Sequence, residues 1–217
     1  MRKYEKIETI WARDLNGSKK LMPAVYRDPS VEYLASNEWI WTEKVDGTNI
    51  SVVWDGHNIS FFGRTENASI PVNLSNKLNE IFMNNAAEEI FEQAFGEKTV
   101  IIYGEGYGNK IQNVGSKYIA KDVDFIVFDV LIGFNYQPRE TVEEVAKMFG
   151  LKVVPVVGRG NLHEAVAYVA GHPQSMIAES PVEMEGIVCR PAMDLRDRCG
   201  NRIIVKIKWC DIKEIIS

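Results

Sequence analysis

The chain has 217 residues, enough for one sizeable hydrophobic core or for a core with a small appendage. Hydrophobic residues make up 46% and charged residues 25%, an ordinary globular balance, and no apolar stretch approaches the ~20 residues of a membrane span. A formal net charge of −5 argues against holding nucleic acid through a broad basic surface, but leaves room for a local basic site assisted by metal ions.

In chain order, Met1-Arg-Lys-Tyr-Glu-Lys6 is charged with no apolar run behind it, so no signal peptide is expected. Glu38-Trp-Ile-Trp-Thr-Glu-Lys44 mixes aromatic and β-branched residues and predicts a strand. Asn49–Trp54 and Asn58–Phe62 flank Asp55-Gly56, a hairpin signal. Leu74, Leu78, Ile81, Phe82, Ile90 and Phe91 recur at helical spacing and predict one helix over 74–95, ending near Gly96. Thr99–Tyr103 and Asp124–Val130 read as buried strands. Thr141 with Glu144 predicts a capping box before a short helix that stops near Gly150. Val153–Val157 is apolar and β-branched, and Leu162–Ala170 predicts a further helix. Glu185–Arg190 and Arg202–Trp209 predict the last strands. Hairpins with interspersed helices, and no repeat or linker, predict a single α+β domain built on antiparallel sheets.

Three cysteines, Cys189, Cys199 and Cys210, have neither zinc-ligand nor redox spacing, which points to a reducing cytoplasm. The triplets Asn49-Ile-Ser51 and Asn67-Ala-Ser69 then read as chance rather than as glycosylation sites. Gly104-Glu-Gly-Tyr-Gly108 lacks the third glycine of a dinucleotide fingerprint, because position 109 is asparagine. His57, His163 and His172 have no ligand or triad spacing.

Four features carry chemistry. Lys44-Val-Asp-Gly-Thr-Asn49 lies between two predicted strands. A Lys-x-Asp-Gly match arises by chance in roughly one chain in twenty of this length, and Asp-Gly also serves as an ordinary turn. As a nucleophile, Lys44 would need an unprotonated amine, favoured by desolvation or neighbouring positive charge. Period-two alternation puts Lys206 and Lys208 on one face of the last strand, where they either form a polar outer face or bind phosphate. Glu105 and Glu185 each stand beside glycine next to a strand. Such carboxylates close a turn, or hold Mg²⁺ against a triphosphate. Arg64, in Phe61-Phe-Gly-Arg-Thr65, is either a solvated hairpin end or a forked contact to phosphate or ribose.

Taken in order, Lys44-x-Asp-Gly-x-Asn49, Gly63-Arg-Thr65, Gly104-Glu-Gly106, Phe125-Ile-Val-Phe-Asp129, Glu185-Gly-Ile-Val188 and Lys206-x-Lys208 resemble the motif set of the covalent nucleotidyltransferases. The chain is most similar to the ATP-dependent RNA ligases of the second phage T4 type and to the RNA-editing ligases, which share the asparagine at the end of the lysine motif. The resemblance covers Glu38 to Trp209. It implies a nucleotidyltransferase (ATP-grasp-like) domain of antiparallel sheets flanked by helices, spanning 1–217 as a single adenylyltransferase domain. It further implies that Lys44 forms a phosphoramidate with AMP, with ATP and Mg²⁺ (or Mn²⁺) as cofactors. Asn49 and Arg64 would contact the ribose or phosphate, Glu105 the ribose hydroxyls, and Phe128 and Val188 the two faces of adenine. Glu43 would contribute to the adenine pocket, Glu185 would bind the metal, and Lys206 and Lys208 would contact the α-phosphate. Asp46 has no distinct role assigned. The implied partners are RNA ends, a 5′-phosphate and a 3′-hydroxyl, with no membrane and no set oligomeric state.

Nine residues follow Lys208, which leaves no room for the OB-fold of DNA ligases and capping enzymes, or for the helical C-terminal domain of the phage type. A minimal ligase or the catalytic part of a longer one is therefore expected. The alternatives are a DNA ligase, a capping-type guanylyltransferase, and a non-catalytic module that binds nucleotides or RNA ends.

Overall fold

In a computed structural model that describes residues 3–18, 20–65 and 68–216, the chain opens with strands β1 (Glu8–Thr9), β2 (Trp11–Arg13) and β3 (Leu21–Tyr26). The sequence readings that touch Met1, Arg2 and Asn67 lie outside the described residues. Helix α1 (Pro29–Leu34) follows. Asp28 accepts a hydrogen bond from the Ser30 amide, and Pro29 presets the first helical φ. Strand β4 (Trp39–Glu43) comes next, as its aromatic and β-branched content predicts.

The middle of the chain contains β5 (Thr48–Trp54), β6 (Ile59–Gly63), α2 (Val72–Phe82), α3 (Asn85–Phe95) and β7 (Val100–Gly108). It continues through α4 (Gly115–Tyr118), β8 (Val123–Ile132), β9 (Asn135–Tyr136), α5 (Arg139–Met148) and β10 (Lys152–Val153). The last elements are β11 (Val156–Gly160), α6 (Leu162–Ala170), β12 (Gly186–Pro191), β13 (Val205–Lys208) and α7 (Trp209–Ile216). The class is α+β, with largely antiparallel sheets flanked by helices.

Two compact units result. The first holds residues 46–154 with the segments 3–5 and 178–180. Its sheet runs β10-β8-β7-β5-β6, with β9 beside β8, and only the β10–β8 pairing is parallel. One face of this sheet (Ile50, Val52, Trp54, Ile102, Phe125 and Val127 among others) is covered by Leu74, Leu78 and Phe82 of α2, Phe91 of α3, and Val142 and Val145 of α5. Helical and strand periodicities meet here, and each fully buried apolar side chain contributes roughly 1.5–3 kcal/mol.

The second unit holds residues 6–45, 155–177 and 181–216. Its sheet runs β1-β13-β12-β4-β11. Trp39, Trp41, Ile187, Cys189, Val205 and Ile207 line the buried face, against Val31 and Leu34 of α1, Leu162, Ala165 and Val169 of α6, and Ile212 of α7.

Four sequence expectations change. The single helix over 74–95 is two helices. Asn84 divides them, donating to the Glu80 and Ile81 carbonyls at the end of α2 while accepting from the Ala87 amide at the start of α3. The expected Thr141–Glu144 capping box does not form, because α5 starts earlier, behind Pro138, and has no side-chain cap. The capping box is instead on α6, between Asn161 and Glu164. The Val153–Val157 stretch divides at Val154-Pro155 between β10 and β11, which belong to different sheets. The last strand is shorter than 202–209, since Trp209 already begins α7.

Candidate active site

In the second unit, β4 alternates. Trp39, Trp41 and Glu43 turn to the buried face, and Ile40 and Thr42 to the other. The Lys44 amide donates to the Gly186 carbonyl at 2.9 Å, so strand pairing continues one residue beyond β4 and Lys44 keeps the phase of Thr42. Across the sheet Thr42 lies beside Val188, and Val188 beside Lys206. Lys206 and Lys208 are both half-buried on this face, as period-two alternation predicts. Lys44, Val188, Lys206 and Lys208 therefore share one face.

Glu185 joins two of them. Its Oε2 accepts from the Lys44 Nζ at 2.5 Å, and its Oε1 from the Lys208 Nζ at 2.7 Å. All three side chains are under a third exposed, so these charge-assisted bonds are only partly screened. The sequence expectation put positive charge around Lys44; the structure interleaves a carboxylate between the two amines. Burial lowers the Lys208 ammonium pKa, but the hydrogen bond and charge of Glu185, with Cys210 and Asp211 behind them, outweigh burial and raise it. The Trp209 amide donates to the Glu185 carbonyl at 2.9 Å, fixing the backbone here. Gly186 is required: a Cβ there would collide with the Ile207 carbonyl oxygen and the Lys208 Cα.

Glu43, adjacent in sequence to Lys44, turns the opposite way and is buried. Its carboxylate accepts from the Ser175 Oγ at 2.5 Å and from the Met176 amide at 2.8 Å. Burial raises its pKa, and the two hydrogen bonds oppose that shift. Nothing local in the sequence signals these partners, which are 132 and 133 residues away.

The first unit carries the other motifs. Asn49 of β5 lies directly opposite Glu105 of β7, so their side chains share a face. Glu105 lies within β7 rather than at a strand-end turn. Gly47 is needed beside it, because a Cβ there would strike the Gly106 carbonyl oxygen. Phe128 occupies a β-bulge: Tyr103 pairs with Asp129 and Gly104 with Val127, which leaves Phe128 as the extra residue. Phe125 and Val127 face the helix-covered core before the bulge, and Val130 faces it afterwards. Alternation from Phe125 and Val127 puts Phe128 on the other face, and the bulge keeps Asp129 there with it; Phe128 meets Tyr4 edge-on at 4.9 Å beside a cluster of Ile101, Tyr103, Leu131 and Tyr136. Fully buried Asp129 accepts from the Tyr4 hydroxyl at 2.9 Å. The role of Tyr4 as ring partner had no motif to announce it. The Asp46 amide meets the Tyr118 hydroxyl at 3.4 Å. Arg64 is exposed just beyond β6.

Among the described residues, no group of three His, Cys, Asp or Glu side chains is placed to hold a metal ion. Glu185 is a single carboxylate. Magnesium needs only one or two carboxylates when a nucleotide's phosphates and water complete its octahedron. The donor set thus fits an ion arriving with a nucleotide, not a resident one. No described helix is long and apolar enough to cross a membrane.

Solved structures of Naegleria gruberi RNA ligase have the same fold. A variant without ligand aligns at TM-score 0.63 and 18% identity, covering 86% of this chain and 54% of that one. A variant with ATP and Mn aligns at TM-score 0.63 and 17% identity, covering 97% and 63%. A structure with PPi aligns at TM-score 0.61 and 19% identity, covering 94% and 61%. The chain thus spans between about half and under two thirds of the length of these proteins. A family model described as RNA ligase matches residues 37–208, from just before β4 to the end of β13. That match takes in most of the sequence and every motif from Lys44 to Lys208, and the chain belongs to the RNA ligase family.

Proposed function

We propose that the chain is the catalytic part of an ATP-dependent RNA ligase, working through AMP held covalently on Lys44, and that residues 1–217 act as one adenylyltransferase domain. The observation that carries this reading is the pairing of Lys44 and Lys208 with the two oxygens of Glu185, inside a chain that belongs to the RNA ligase family. A nucleotide phosphate offers the two amines an alternative anion. Glu185 would then be the carboxylate to hold a nucleotide-borne Mg²⁺ or Mn²⁺, which would neutralise triphosphate charge.

In the first step the Lys44 amine, having lost its proton, forms a P–N bond to the α-phosphorus of ATP as the P–O bond to pyrophosphate breaks. Lys208 and Lys206 hold the α-phosphate oxygens. In the first unit Asn49, Arg64 and Glu105 are the proposed ribose and phosphate contacts and Phe128 the proposed adenine stacker; in the second, Val188 is the proposed apolar contact to the base. AMP then passes to an RNA 5′-phosphate, and a 3′-hydroxyl displaces it to seal the strand. Positioning and charge neutralisation do most of this work. The ATP- and Mn-bound structures of the Naegleria gruberi enzyme support the choice of nucleotide and ion. The free cysteines Cys189, Cys199 and Cys210 support a reducing, cytoplasmic setting.

The test is intact mass after incubation with ATP and Mg²⁺, following removal of any bound AMP. The native protein gains one AMP and Lys44→Ala gains none. GTP loading in preference to ATP would indicate a capping-type enzyme, and no gain with either nucleotide would favour a binding module.

A further inference from the structure

Glu43 and Lys44 are consecutive, yet they turn to opposite faces of the sheet. Glu43 is 2% exposed, in phase with Trp39 and Trp41. A carboxylate in such surroundings is tolerated only when its acceptors are engaged. Both oxygens are engaged, by the neutral donors Ser175 Oγ and the Met176 amide rather than by a cation.

Those donors belong to a structured return. The Met184 amide donates to the Pro173 carbonyl at 2.9 Å, and the Ser175 amide to the Val182 carbonyl at 2.9 Å. Gln174 and Glu183 pair between them as an antiparallel bridge. The residue after Met184 is Glu185. Segments 173–175 and 182–184 are thus clamped together, with one end held by Glu43 and the other running into the carboxylate that pairs with Lys44 and Lys208.

We propose that Glu43 is a positioning residue: from the buried side of the sheet it holds the 173–184 return, and the return sets Glu185 against Lys44 and Lys208 on the other side. The proposal rests on the lysine-adenylate reading and extends it to a residue that reaches the reaction only through others.

Three variants, Glu43→Ala, Glu43→Gln and Ser175→Ala, separate this role from direct contact with adenine. The rate of AMP loading is measured across ATP concentrations, with amide hydrogen exchange over 174–186 in parallel. Glu43→Ala and Ser175→Ala are expected to lower the maximal rate about tenfold or more, at unchanged half-saturating ATP, and to speed exchange across the return. Glu43→Gln can accept from the Met176 amide through its oxygen and donate to the Ser175 Oγ through its nitrogen, so it is expected to stay within about threefold of the native rate. Ser175→Ala leaves the buried carboxylate in place and keeps the test open should Glu43→Ala fail to fold. A raised half-saturating ATP at unchanged maximal rate in Glu43→Ala would overturn the proposal in favour of an adenine contact. Native rates and native exchange in both Ala variants would overturn it outright. Failure of the native protein to load AMP defeats the lysine-adenylate reading instead, while exchange still reports whether Glu43 holds the return.

Discussion

Glu185 is the residue that links the two lysines of the candidate site, since one carboxylate engages both Lys44, just beyond β4, and Lys208 of β13. Glu185→Ala leaves two half-buried amines without their shared anion and removes the ligand for a nucleotide-borne ion; AMP loading should fall by about a hundredfold, read by quenched mass measurements. Glu43 gives a prediction with a definite sign. Its folded pKa is raised above 4.5 by burial, so the native state binds its proton more readily than the unfolded chain. Stability is therefore lost as pH rises from 4.5 through the folded pKa, and Glu43→Gln, which cannot ionise, escapes that loss. The variant should melt at or above the native temperature at pH 7, with any excess closing as pH falls to 4.5, followed by calorimetry. At this scale the motifs singled out Lys44, Glu105 and Glu185 as candidates, whereas the partners of buried Glu43, Ser175 and Met176, lie 132 and 133 residues away and had no local signal.

At the scale of elements, alternation and capping chemistry account for most of the fold. The strands around Asp55-Gly56, the buried strands β7 and β8, and helix α6 stand where their patterns predict. The misreadings have local physical causes. An asparagine can cap two helices at once, so apolar spacing across Asn84 imitates one long helix. A threonine followed by a glutamate is a capping box only if the helix starts there, and Pro138 starts α5 earlier. The capping box that does form makes a clean test: Asn161→Ala should lower stability by about 1 kcal/mol in urea denaturation, without preventing AMP loading. The bulge at Phe128 lay beyond any pattern reading, because it is a mismatch between two strands rather than a property of one.

For the whole molecule, a net charge of −5 means that the proposed RNA substrate is met by local cations rather than by a general field. The affinity of the AMP-loaded protein for single-stranded RNA should therefore fall only gently with salt. A slope of about −1 to −3 in log K against log salt corresponds to a few phosphates at ~0.7 each. Fluorescence anisotropy across a salt series measures it, and a much steeper slope would reveal a larger basic surface. By itself the sequence determined the α+β class, the strands that carry the motifs, and the ordered set of residues that marks an RNA ligase. The class and the strands follow from backbone sterics, side-chain periodicity and chemical type, which act within a few residues, whereas the family was read from the resemblance of the motifs in chain order. Only the tertiary structure decided that Lys44 meets Glu185 across 141 residues, that Glu43 is held by Ser175, and that a bulge at Phe128 returns Val130 to the helix-covered face. Those outcomes depend on the register between strands distant in sequence, and that register is settled by packing of the whole core.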